Sequence, residues 1–140
     1  MHLKSTVQTV SSIAFAILLL TACSKKAEVN FYDKSLKKHP LRCLQFTPKQ
    51  HTELEQSLEK LYHFQKNCKN SLELSFKSDI VCKSPYNAAM KSTSNFPNAY
   101  LKLEVRNGFK LLYSYYIDLL HKPTKEDLKE GFERLKDDIL

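Results

Sequence analysis

Between residues 100 and 117 the sequence alternates so regularly that little except an antiparallel strand pair accommodates it. Leu101, Leu103 and Val105 alternate with Lys102, Glu104 and Arg106, a period of two that puts apolar side chains on one face of a strand and charged ones on the other. Asn107-Gly108 follows, a dipeptide that favours a type I′ turn because both residues tolerate positive φ. Phe109, Leu111, Tyr113, Tyr115 and Ile117 then make the return strand. Strict alternation sends Tyr116 to the opposite face from Tyr113 and Tyr115, so one face is covered and the other is available. Tyrosine and arginine are frequent interface anchors. Tyr113, Tyr115 and Tyr116, with Lys102 and Arg106, are therefore the candidate interaction residues, with ordinary sheet packing as the competing reading.

Two amphipathic helices flank this hairpin in sequence. Thr47-Pro48-Lys49-Gln50 can cap and open the first, at about 48–68, because threonine caps, proline suits the first helical position and glutamine can complete a capping box. Leu54, Leu58, Leu61, Gln65 and Cys68 recur at helical spacing with Phe64 beside them. The second, at about 125–139, is capped by Thr124 with Asp127 at the third position and carries Leu128, Phe132, Leu135 and Ile139 along one face. Its Gly131 costs up to about 1 kcal/mol relative to alanine. Residues 71–78 alternate as a short strand, and Ser84-Pro85 can open a short helix through Ala88, Ala89 and Met90. The expectation is an α+β fold, a small antiparallel sheet built around the hairpin at about 100–117 and packed by the two helices.

The N-terminal segment carries a different message. Met1 to Lys4 make a short positive start, and residues 7–22 form an apolar stretch of the secretion-signal kind. Its uninterrupted apolar core, residues 13–20, is much shorter than the ~20 residues of a membrane-spanning helix. Leu20-Thr21-Ala22-Cys23 resembles the lipobox of bacterial lipoproteins. That resemblance implies a signal peptide over 1–22, a diacylglyceryl group on the Cys23 sulfur and acylation of the new amine. Several acyl chains anchor far more firmly than one, at about 0.8 kcal/mol per buried methylene. Ser24 stands where the retention signal for the inner membrane would be aspartate, which by resemblance favours the outer membrane facing the periplasm. Residues 23–42 are Lys-rich and without apolar period, and read as a lipidated flexible tether to a single domain over 43–140.

The net charge of +7 suits anionic headgroups, an acidic protein or nucleic acid. For an anchored envelope protein, lipid and protein rank above nucleic acid. Beyond Cys23 there are Cys43, Cys68 and Cys82, in a compartment where disulfides persist. A helix unbroken from Pro48 to Cys68 puts its ends ~30 Å apart, whereas Cys43 reaches back only ~14 Å from Thr47. Cys68–Cys82 is accordingly the expected disulfide, with Cys43–Cys82 as runner-up. The leftover thiol is either buried or available to a partner.

Catalytic and cofactor patterns are weak. His51, Glu55, Glu59 and His63 fall at four-residue steps, but such steps drift by about 40° each, so they read as a solvated face rather than metal ligands. Two S-x-x-K matches, at Ser35 and Ser57, lack the companion motifs of penicillin-binding enzymes. With only two glycines the chain has no phosphate cradle. The reading is of a protein that is no enzyme, with no metal, cofactor or small-molecule substrate.

Cys68-Lys69-Asn70, then Cys82-Lys83-Ser84 followed by Asn87-Ala88-Ala89, resembles the entry-exclusion lipoproteins of conjugative plasmids, as do Tyr32 and His39-Pro40 after the anchor. The match spans about residues 20–92, lacks alanine at position 85, inserts a long helix and adds the hairpin and final helix. It implies a protein that blocks redundant DNA transfer by contacting a transfer-apparatus protein. An immunity lipoprotein that neutralises a periplasmic toxin, or an outer-membrane structural or assembly lipoprotein, are the alternatives.

Overall fold

The computed structural model describes residues 26–80 and 97–140. The segment expected to be a signal peptide, Cys23, Cys82 and the short helix expected from Ser84 lie outside them. Among the described residues the fold is α+β, with a five-stranded sheet in the order β1-β5-β4-β3-β2 and two helices. The strands are β1 (Glu28–Phe31), β2 (Gln45–Phe46), β3 (Asn70–Lys77), β4 (Ala99–Asn107) and β5 (Lys110–Leu119). The helices are α1 (Glu53–Leu61) and α2 (Lys125–Ile139).

The sheet is mixed rather than antiparallel, because the short β2 runs parallel to β3, Gln45 beside Ser71 and Phe46 beside Leu72. A parallel neighbour needs a long crossover, and here α1 with the segment after it supplies one. Residues 28–42 are not a flexible tether. Val29 and Phe31 of β1 stand opposite Tyr115 and Tyr113, and a 3-10 turn over Lys34–Lys37 follows, with Leu36 buried in the core. Four residues were too few to display a period, yet they pair with an edge that β5 would otherwise leave open.

The first helix is also shorter than its apolar stripe suggests. It begins at Thr52, whose hydroxyl accepts from the Glu55 N–H while Glu55 reaches back to the Thr52 N–H, a reciprocal cap that Thr47 and Gln50 do not make. His51, at φ +53°, breaks helical geometry directly upstream. At the other end Tyr62 is extended. Its ring and that of Phe64 pack against Phe132 of α2, with centroids 6.0 and 6.1 Å away, so aromatic burial draws the chain out of the helix.

That early exit changes the disulfide. Cys43 is bonded to Cys68, not Cys68 to Cys82, and the runner-up pairing of Cys43 with Cys82 falls with it. After Phe64 the chain returns along β2, where the Gln65 N–H donates to the Leu44 carbonyl at 2.9 Å. The Cys43 and Cys68 Cα atoms are 5.9 Å apart. The ~30 Å separation assumed an unbroken helix.

Buried Glu55 does more than cap. It accepts N–H groups from Lys49 at 2.8 Å, Gln50 at 3.2 Å and Thr52 at 2.9 Å, holding the irregular segment before α1 in place. Burial pushes its pKa up, but these hydrogen bonds outweigh burial and leave it below the ordinary value. A lowered carboxyl pKa contributes stability that is present above the unfolded value and lost as pH falls through the folded one. The stability gap between the native chain and a Glu55→Gln variant should therefore narrow on acidification below the ordinary glutamate range. Parallel denaturation profiles across that range would remove the account.

Candidate functional site

Both helices share a single buried cluster with residues of the sheet. Leu72 of β3, Leu101, Leu103 and Val105 of β4, and Tyr113, Tyr115 and Ile117 of β5 are buried there with Leu54 and Leu58 of α1 and Leu128, Phe132 and Leu135 of α2. The other face is built by the alternate residues, whose register brings them into rows. Arg106 stands opposite Ser71, and Glu104 opposite Glu73 and Ser114. Lys102 stands opposite Ser75 and Tyr116, and Tyr100 opposite Lys77 and Asp118.

Of the five candidate interaction residues, Tyr116, Lys102 and Arg106 meet on this face, which is open among the described residues. Tyr113 and Tyr115 do not, because both are buried on the core face. The Tyr113 hydroxyl donates to Asp138 Oδ2 at 2.9 Å, and Arg134 Nε donates to the same oxygen at 2.9 Å. Burial, and then the Asp138 carboxylate, push the Tyr113 phenol far above its ordinary value. Tyr115 lies with its ring beneath Gly131 of α2. These two rings are clamps for the C-terminal helix.

A bulge complicates the return strand. Val105 pairs with Tyr113 and Arg106 with Leu111, so Leu112 is the extra residue, and Leu112 and Tyr113 are both buried. Leu111 falls opposite Arg106, off the core face, and Phe109 is fully exposed at the turn. The turn itself is Gly108-Phe109, with Gly108 at φ +57° and Asn107 as the last residue of β4. Position 108 is where the left-handed backbone is required.

Charge on the open face is arranged as a ladder. Lys102 Nζ lies 3.0 Å from Glu104 Oε1, and an Arg106 guanidinium nitrogen lies 3.0 Å from Glu104 Oε2. Arg106 Nε is 3.5 Å from Glu73 Oε2, and Lys49 Nζ is 3.7 Å from Glu73 Oε1. Glu73 and Glu104 are direct cross-strand partners, a like-charge pairing that is unfavourable alone and is bridged here by Arg106. Burial raises the Glu104 pKa, but the Lys102 and Arg106 hydrogen bonds prevail and hold it below the ordinary range. Beside the ladder the Tyr100 and Tyr116 rings stack with centroids 5.7 Å apart. The Tyr116 hydroxyl donates to Asp118 at 2.7 Å, which pushes its pKa up to about 12 and keeps it a hydrogen-bond donor at neutral pH.

Every charged group of the ladder has an oppositely charged neighbour, although Arg106 Nε is buried without a hydrogen-bond partner among the described residues. Such a surface offers rigid aromatic area and oriented hydrogen-bonding groups. Sequence reasoning missed Tyr100, Glu104 and Glu73 as members. Tyr100 shares its parity with Lys102 and was within reach of the alternation argument, but Glu73 enters only through the β3–β4 register.

The described residues thus form an α+β domain whose mixed sheet carries an aromatic and charged face, open among those residues. No protein-family model, no curated protein and no solved structure matches the chain.

Proposed function

We propose that the chain is an envelope lipoprotein, anchored through Cys23 and sited in the outer membrane facing the periplasm, that acts by binding another protein rather than by catalysis. The β4–β5 hairpin with two amphipathic helices against one face forms the platform, and the open face makes the contact. The observation that carries this reading is the stacked Tyr100–Tyr116 pair beside the Lys102–Glu104–Arg106 ladder, on a face that no helix covers among the described residues. Rigid aromatics and arginine among paired charges suit a protein interface, since they supply contact area with little entropy loss. Entry exclusion in conjugation is its most concrete form, through contact with a transfer-apparatus protein.

Mating a plasmid donor with recipients that do or do not express the chain tests this. Expression should lower transfer frequency, and the Cys23→Ala and Tyr116→Ala variants should each restore it. Transfer that is indifferent to expression would remove the exclusion reading. Intact-mass measurement should find a diacylglyceryl group on Cys23, and an unmodified Cys23 would remove the anchor.

A further inference from the structure

We infer that one pole of the domain is a docking site for an acidic segment of a protein partner. Resting on the anchored, protein-binding reading above, this site adds the partner's chemistry and a second contact surface. The two helices begin together at the Lys125–Glu53 ion pair and end together around a groove of about 690 Å³ lined by Lys38, His39, Leu41, Arg42, Tyr62 and Leu140. Its floor is fixed, because the Leu41 N–H donates to the Ile139 carbonyl at 2.7 Å. Leu41 and Tyr62 are partly buried apolar surface packed on the core, whereas Lys38, His39 and Arg42 are exposed. Among the described residues Lys38 and Arg42 make no ion pair. The apolar floor with a basic rim complements a chain segment carrying carboxylates around an apolar side chain.

The charge of the described residues is unevenly placed. Lys34, Lys66 and Lys69 lie on the segments that turn at this same pole; of the acidic residues there, Asp33 is taken up by Lys110 at 2.7 Å, Asp138 by Arg134 and Glu133 by Lys136, which leaves Asp137 on the last turn of α2. At the opposite pole, where β3 and β5 end, basic and acidic groups balance. Lys125 pairs with Glu53, and Lys26, Lys77 and Lys122 stand among Glu28, Asp79 and Asp118. The chain enters β1 at Glu28, which pairs with Tyr116 toward the end of β5, while Phe31 pairs with Tyr113. Five residues from Cys23 to Glu28 span at most ~17 Å. A lipid on Cys23 thus holds the balanced pole near the bilayer and turns the basic pole away from it, which favours a protein over headgroups as the occupant.

Fluorescence anisotropy with the full chain tests the site. The probe is a short fluorescein-labelled peptide in which phenylalanine and leucine are separated by pairs of glutamates. Binding should saturate, weaken as salt is raised, and fall about tenfold in a Lys38→Glu/Arg42→Glu variant. A Lys122→Glu/Lys125→Glu variant should change it less than about twofold. No binding, or equal losses in the two variants, would overturn the site. So would vesicles of equal parts phosphatidylcholine and phosphatidylglycerol that bind through Lys38 and Arg42 and are not displaced by the peptide, since the occupant would then be a bilayer. Intact mass of the same preparation keeps the two readings apart. Peptide binding by a chain with unmodified Cys23 supports the pole and removes the anchor, whereas a lipidated chain that ignores the peptide loses the pole alone.

Discussion

Replacing Cys43 with serine is expected to destabilise the domain by about 3–4 kcal/mol. The bond joins residues 25 apart in sequence, and a loop of that length has substantial freedom to regain when the crosslink is lost. It also closes the crossover between β2 and β3 and flanks Leu44, which is fully buried. Chemical denaturation of the native chain with and without reductant, beside the Cys43→Ser variant, measures the effect. Reductant should lower the native midpoint to that of the variant and leave the variant unchanged. A native midpoint insensitive to reductant would show that the bond contributes nothing, and a proteolytic peptide linking Cys68 to Cys82 would contradict the pairing itself.

A Gly131→Ala substitution should also destabilise, by about 1–3 kcal/mol, although alanine is the better helix former by up to about 1 kcal/mol. The two effects have opposite signs, and the packing decides. A Cβ at position 131 would lie 2.7 Å from Tyr115 Cε1 and 3.1 Å from Cδ1, well inside van der Waals contact. Tyr115 cannot easily retreat, being 4 % exposed and held in register between Leu103 and Val29. The helix must therefore lift or the ring must leave its rotamer. Trimming the ring should remove the conflict, so Gly131→Ala should be less damaging in a Tyr115→Leu background than in the native one. Additive effects of the two substitutions in denaturation would place the cost elsewhere.

The same glycine shows what local reasoning can reach. In sequence it is a helix weakener in an otherwise good stripe. In the fold it is the gap that lets α2 settle on Tyr115. Tyr113 and Tyr115 make the same point from the other side. Their parity relative to Tyr116 was legible, because successive side chains on a strand point to opposite faces. Which parity met the helices depended on the packing of α2, and it was the pair, not the single ring, that went inside.

Caps were legible where one candidate stood alone. Thr124 and Asp127 form the reciprocal cap of α2, and no neighbouring residues compete for the role. The cap of α1 was not legible: Thr52 with Glu55 forms it in place of the expected Thr47 with Gln50, because Glu55 also satisfies the Lys49 and Gln50 N–H groups. That advantage exists only after the chain has folded around the carboxylate.

By itself, then, the sequence determined the alternation of β4, the left-handed turn position at Gly108 and the apolar stripe of α2, since each follows from dihedral preferences and side-chain period within a few residues. Tertiary structure alone decided the partner of Cys68, the parallel β2, the recruitment of residues 28–31 as an edge strand and the gathering of basic groups at one pole. Those outcomes depend on pairings between segments far apart in the chain, where aromatic burial against Phe132 and the open edge of β5 outweighed what the local pattern favoured.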